Sequence, residues 1–473
     1  MESAQWNTAA LGPHKLERAQ DLWNRLTKHF APNGLKFSGQ GKWYPGEPLP
    51  RWALGIFWRT DGVALWKNPE LLADEGKSYG HTTAMAAEFS AKLSAKLGLA
   101  PTFAQAGFED ALHYLLKEAE VPDNLDPAKI NLKDPLERRT LAAKLARGLD
   151  EPVGYVLPIA WDGVTNLWKS SVWTFRRGRL YLLPGDSPMG LRLPLDSLPW
   201  VAMAERETPI PLDMFAPREK LADDYGEIAQ RYAEFKPAVN AHPEIKAQGL
   251  ADVEDPAPAQ VKVIHTALCV EARGGVLRIF MPPLSALEHY LELAGAIESV
   301  AAEMKTPIIL EGYEPPRDWR LQRLMVTPDP GVIEVNIHPA SNWDEMVGNI
   351  RVLYEEARLA RLTTEKFMLD GRHTGTGGGN HVTLGGATPA DSPMLRRPDL
   401  VMSLVGYWQH HPGLSYLFSG MFIGPTSQAP RVDEARHESL YELEITFQQM
   451  AARLKPGEEP LLHLAHLVIL TAM

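Results

Sequence analysis

Residues 326–346 read VTPDPGVIEVNIHPASNWDEM. Asp329-Pro330-Gly331 spells a turn, and Val332, Ile333, Val335 and Ile337 make the run behind it β-rich. Strand alternation places Val332, Glu334, Asn336 and His338 on one face and Ile333, Val335 and Ile337 on the other. The apolar face is suited to pack against helices. The opposite face lines up a carboxylate, an amide and an imidazole, a set that suits Mg²⁺ or Mn²⁺. An ordinary solvated sheet face is the competing reading. Asn342, with Glu345 three residues on, is a capping-box-like entry into a helix ending near Arg361.

Downstream, residues 367–393 read FMLDGRHTGTGGGNHVTLGGATPADSP. Gly375, Thr376, Gly377, Gly378 and Gly379 lead into Asn380 and His381, and Val382-Thr383-Leu384 reads as a short strand. Glycines let backbone N–H groups close on an anion, and a rim His can meet a metal or a phosphate oxygen. A flexible surface loop is the competing reading. The pattern is neither a dinucleotide-binding GxGxxG nor a P-loop, because no GK[ST] follows and the order is loop then strand.

Upstream, residues 261–270 and 276–280 bracket Arg273-Gly274-Gly275 and read as a hairpin. A helix over 284–304 and a strand over 307–310 follow. Earlier still come helical segments at 16–29, 84–96, 108–119 and 136–149, then a β-meander over 153–184. Residues 237–260, with four prolines and many alanines, read as a linker. The expectation is α+β: a mixed helical and β-meander region over 1–236, a linker over 237–260, and a core over 261–473. That core is expected to be an antiparallel sheet with helices on one face.

Composition narrows the classes. The chain has 473 residues, 45% of them apolar, enough for large cores in about two to four domains. A net charge of −11 leaves no basic face for nucleic acid or an anionic membrane. A single cysteine, Cys269, excludes an internal disulfide framework and a Cys-rich zinc site, and its apolar surroundings read as inert packing. No apolar run reaches the roughly 18 residues of a membrane helix, and MESAQWNTAALGPHK is no signal peptide, so a cytoplasmic enzyme is expected.

Several stretches together resemble a known family. GQGKWYPGEPLPRWAL (39–54), HTALCVEARGGVLRIFMPP (265–283), the Gly-rich segment and YLFSGMFIGPTSQAPRVDEAR (416–436) resemble a bacterial amidoligase family. Its members are often fused to, or encoded beside, transglutaminase-like domains. The turn, Glu334 strand, helix and Gly-rich loop ending in His are in turn similar to the glutamine synthetase core. The resemblance implies ATP and Mg²⁺ (or Mn²⁺) as cofactors, and an amide bond made between a carboxylate and an amine through an acyl phosphate. It implies Glu334 and His381 as metal ligands, with Glu271 supplying another carboxylate and Glu442 or Glu444 the last. Residues Gly375 to His381 would cradle the nucleotide, and Arg431, Arg436 and Glu334 would act on the phosphates.

Arg suits that work because it grips phosphate oxygens bidentately and stays charged. Arg431, Asp433, Glu434, Arg436 and Glu438 also fit an ordinary solvated helix ladder. The superfamily's E-x-E pair is replaced here by Cys269-Val270-Glu271, and Glu311, Glu314 or Asp329 are alternatives for the missing ligand. Trp43, Trp52, Trp58 and Trp66 suit packing or a ligand-stacking wall. Gly39-Gln40-Gly41-Lys42 suits a phosphate contact or a turn. Relatives extend beyond both ends of this chain, so a shortened, catalytically silent protein acting as a partner or subunit is the alternative. The expected partners are small-molecule or peptide carboxylates and amines, with a transglutaminase-like or ATP-grasp-type partner protein.

Overall fold

The computed structural model describes residues 3–119 apart from 46, 48 and 49, and 141–223 apart from 143, 147, 176–177 and 199–215. It further describes 263–367, 371, 373–374, 383–411 and the positions 445, 448, 449 and 452. The main helices are α1 (Pro13–Phe30), α2 (Thr83–Lys96), α3 (Ala111–Ala119), α4 (Leu287–Met304) and α5 (Trp343–Leu359). The strands of the first half are β1 (Leu35–Gln40), β2 (Trp52–Arg59), β3 (Gln105–Phe108), β4 (Gly154–Pro158), β5 (Ala160–Asp162), β6 (Leu167–Lys169) and β7 (Leu180–Tyr181). Those of the second half are β8 (Ala267–Arg273), β9 (Val276–Met281), β10 (Ile308–Gly312), β11 (Leu321–Asp329), β12 (Val332–Asn336), β13 (Lys366–Phe367) and β14 (His373–Thr374).

Among the described residues ten strands form one sheet in the order β12-β11-β2-β1-β10-β9-β8-β4-β3-β7. The α+β class is as expected, but the sheet is mixed and not antiparallel. β1 and β9 both run parallel to β10, and β3 runs parallel to β7. The reason lies in the connection: β9 returns to β10 through α4, and a crossover through a helix delivers a parallel neighbour. Strands from before and after residues 237–260 interleave, with β1 and β2 seated between β10 and β11. The sheet therefore belongs to both parts of the sequence, and the expected linker itself lies outside the described residues. The meander expected over 153–184 is dispersed. β4 and β7 enter the main sheet on either side of β3, while β5 and β6 pair only with each other.

Helices cover both faces, another departure from expectation. One face carries Leu35, Phe37, Phe57, Val270, Leu277, Ile279 and Leu310, packed with Phe89 and Leu93 of α2 and Leu291 and Ile297 of α4. The other carries Leu54, Ile56, Leu324 and Val326, packed with Leu22, Trp23 and Leu26 of α1, with Leu353 and Ala357 of α5 beside them. Ile333, Val335 and Ile337 join that second cluster, as their alternation predicts. Further along the same second face, Cys269 and Phe280 pack with Val156, Trp173 and Met189. Cys269 is buried, and desolvation pushes its thiol well above the ordinary range, so it is an inert packing group.

Local signals set the turns. Gly274 (φ +63°) and Gly275 (φ +74°) both take the left-handed conformation that a two-residue hairpin between β8 and β9 needs. Beyond Gly274 lies open space, whereas a Cβ on Gly275 would come within 2.1 Å of Ser78 Oγ. Gly275 also accepts hydrogen bonds from Tyr79 and His81 through its carbonyl. Gly275→Ala is expected to cost about 2 kcal/mol or more and Gly274→Ala about 1 kcal/mol, checked by urea unfolding. Equal costs would mean that Ser78 simply swings away. At α5, Asn342 Oδ1 accepts from Glu345 N (2.9 Å), and Glu345 reaches back to Ser341 N (2.7 Å). Of Val382-Thr383-Leu384, expected as a strand, Val382 lies outside the described residues, and Thr383 and Leu384 belong to no strand among them.

Candidate functional site

Of the residues expected to make the site, Glu271 and Glu334 are described. Gly375 to His381, Arg431, Arg436 and Glu442 lie outside the described residues. Glu334 sits in β12 at one sheet edge and Glu271 in β8, six strand intervals away, roughly 29 Å across the sheet. Pairing register also separates them by face. Val335, Val326, Leu54, Ser38, Glu311, Phe280 and Cys269 are successive partners across the sheet and so share one face. Glu271, two residues from Cys269, is on that face, while Glu334, next to Val335, is on the other. The two carboxylates cannot hold one ion.

Glu334 belongs to a cluster built where two hairpin tips meet. The β1–β2 hairpin continues past its strands, with Gly41 N–H donating to the Arg51 carbonyl and Arg51 N–H to that of Lys42. Arg51 then grips the Glu47 carboxylate through Nε and Nη2 at 2.8–3.2 Å, reaches Asp329 with Nη1, and stacks 4.4 Å over the Tyr44 ring. Lys42 Nζ lies 3.4 Å from Glu334 Oε2. Burial lowers the Lys42 pKa, but the neighbouring carboxylate outweighs it and holds the ammonium above its ordinary range. Thr327, the register partner of Glu334, has a buried hydroxyl with no hydrogen-bond partner among the described residues. A carboxylate, an ammonium and an unsatisfied hydroxyl thus share one rim.

Glu271 belongs to a second cluster on the other face. Arg273 bridges Glu271 (3.0 Å) and Glu311, and Arg278 bridges Glu311 (3.2 Å) and Glu75 (3.0 Å). Met189 N–H donates to Glu271 Oε2 at 3.0 Å. Desolvation holds Glu311 above the ordinary carboxylate range against the opposing pull of both arginines. Along β8 the neighbours of Glu271 on its own face are Cys269 and Arg273, and Arg273 joins it to the Glu311 carboxylate. Two guanidinium groups already neutralise that carboxylate pair. The arrangement fits an internal ionic ladder and does not fit a divalent metal site. Among the described residues no group of three His, Cys, Asp or Glu side chains could hold a metal ion. The Glu334 rim offers one carboxylate and one hydroxyl, which fits part of an oxygen ligand set.

His338 does not stay with Glu334. β12 ends at Asn336, and the chain turns so that His338 packs edge-on against Phe30 (4.8 Å) and Trp58 (5.0 Å), near Asn349 of α5. Desolvation there lowers its pKa. Trp66 is buried in the core, and Trp52 and Trp58 pack against the α1 cluster. Trp43 alone of that set projects into solvent, 66% exposed. Asp329 stands with the Glu334 cluster, and Glu314 pairs with Arg323. Sequence reading did not assign Arg51, Thr327, Arg273, Arg278 or Glu75. The spacing of Glu271 and Arg273 was a usable signal for the ladder, since strand alternation puts them on one face.

An α+β chain with a mixed sheet, covered by helices on both faces and presenting paired charges at a hairpin rim, is the frame in which the family comparison falls. The chain belongs to the family described as "Putative amidoligase enzyme (DUF2126)", which matches residues 1–467. No curated protein and no solved structure matches the chain. Among the described residues no helix is long and apolar enough to cross a membrane.

Proposed function

We propose that this chain is an ATP- and Mg²⁺-dependent carboxylate–amine ligase of glutamine synthetase-like descent, working at the Glu334 rim. The observation that carries the reading is Glu334 itself. It is a partly exposed carboxylate whose hydrogen-bonding partner is Lys42, beside a Thr327 hydroxyl that lacks one. In this reading Glu334 would hold a divalent ion together with His381 and Glu442, and residues 375–381 would bind the phosphates. Arg431 and Arg436 neutralise the transferring group. The metal, when bound, supplies charge neutralisation at the β- and γ-phosphates.

The chemistry balances as two displacements. A substrate carboxylate oxygen attacks the γ-phosphorus and ADP leaves. An amine nitrogen then attacks the acyl carbon, phosphate leaves, and the amine gives up a proton. Lys42 and Thr327 orient oxygens at the rim, and Arg51, braced by Glu47 and Asp329, keeps the hairpin tip in place. The acceptors are small-molecule or peptide carboxylates and amines, and a transglutaminase-like or ATP-grasp-type protein is the proposed companion.

Cys269 in place of a second carboxylate, with Arg273 paired to Glu271, favours the alternative of a catalytically silent family member acting as a subunit. Calorimetric titration of the full chain with ATP and Mg²⁺ separates the two. Micromolar affinity is the result expected of the ligase, and absence of binding that of the silent protein.

A further inference from the structure

We infer that Trp43 is the stacking platform for the base of the nucleotide, and that Lys42 exchanges Glu334 for a phosphate oxygen when the nucleotide arrives. The inference rests on the nucleotide site proposed above and extends it to residues that reading leaves without a partner.

Trp43 is 66% exposed yet held in place, because its Nε1–H donates to the Glu47 carbonyl at 2.7 Å. Glu47 is in turn fixed by Arg51, and Arg51 by Asp329 and the Tyr44 ring. Large exposed aromatic rings forgo the stabilisation of burial, and rigid ones are ready to bind because little freedom is left to lose. The bracing here fixes an indole whose face meets solvent. Tyr44 is a poorer platform, since the Arg51 guanidinium already occupies one of its faces.

Charge places the rest of the ligand. Arg51 is committed to two carboxylates, so among the described residues Lys42, next in sequence to Trp43, is the cation at the rim with capacity to spare. Its side chain is more than half exposed, and its 3.4 Å contact with Glu334 is long for a charged pair. With Glu334 engaged by a divalent ion, Lys42 would be released from that contact and would be free to pair with a phosphate oxygen. A flat ring one residue along the chain from a transferable ammonium matches a molecule with an aromatic base at one end and an anionic chain at the other. A peptide or a lipid surface would need further apolar area, and Trp43 and Tyr44 are the exposed rings of this tip.

The test uses two probes on the full chain, ATP with Mg²⁺ and inorganic tripolyphosphate with Mg²⁺, each titrated calorimetrically. Trp43→Ala is expected to weaken ATP by roughly ten- to thirtyfold and to leave tripolyphosphate unchanged, with Trp43→Phe within about threefold of the unmodified chain for ATP. Lys42→Ala is expected to weaken both ligands by roughly tenfold. ATP binding indifferent to Trp43→Ala overturns the inference alone. So does an equal loss for both ligands, which would show that Trp43 packs against the chain and not against a base. Binding of neither ligand by the unmodified chain removes the nucleotide site and this inference with it.

Discussion

Glu334→Ala is expected to abolish binding of ATP with Mg²⁺ and to lower amide-forming kcat/KM by about a hundredfold to a thousandfold. The same change should leave stability within about 0.5 kcal/mol. The asymmetry follows from position. Glu334 lies on an edge strand with its side chain 29% exposed, and Lys42 opposite is 58% exposed, so their ion pair is screened and contributes little to folding. Its neighbours Ile333 and Val335 do the packing, and Ala leaves them untouched. Titration calorimetry and urea unfolding on one preparation make the comparison. Retained nucleotide binding would place the site elsewhere, and a loss of several kcal/mol would make Glu334 a structural residue.

The second large effect is on the other face and has the opposite character. Glu311→Ala should destabilise the fold by about 2–3 kcal/mol, because Arg273 and Arg278 each lose one of their two carboxylates at a buried sheet face and keep only Glu271 and Glu75. The Glu311 side chain is only 6% exposed and accepts from both Arg273 and Arg278. Arg278 already has an Nε with no partner among the described residues, so little slack remains to absorb the loss. Glu311→Gln keeps an acceptor and should cost clearly less. If the ladder instead held a divalent ion, chelation would reproduce the effect of Glu311→Ala on the unmodified chain. Unfolding curves with and without a chelator decide this.

The two predictions mark how far local reading reaches. Alternation along 332–337 correctly places the apolar face, and Asp329-Pro330-Gly331, Gly274-Gly275 and the Asn342 cap appear where their residue types demand. His338 escapes because alternation holds only while the strand lasts, and β12 stops two residues earlier. Lys42 and Arg51 were visible as residues, but their partners Glu334 and Asp329 lie nearly three hundred positions away. Nothing in local spacing announces such a pairing.

The sequence by itself determined the α+β class, most of the element positions, the inert Cys269 and the family. The class, the element positions and the inert thiol follow from periodicity, turn chemistry and composition, which act over a few residues, whereas the family follows from the resemblance of whole stretches. Only the tertiary structure decided that the first half of the chain lends strands to the middle of the sheet. It also decided that Glu271 and Glu334 face opposite ways. The face on which a strand residue lands is set by register against its neighbours, and register is a property of strand pairs, several of them joined here from distant parts of the chain.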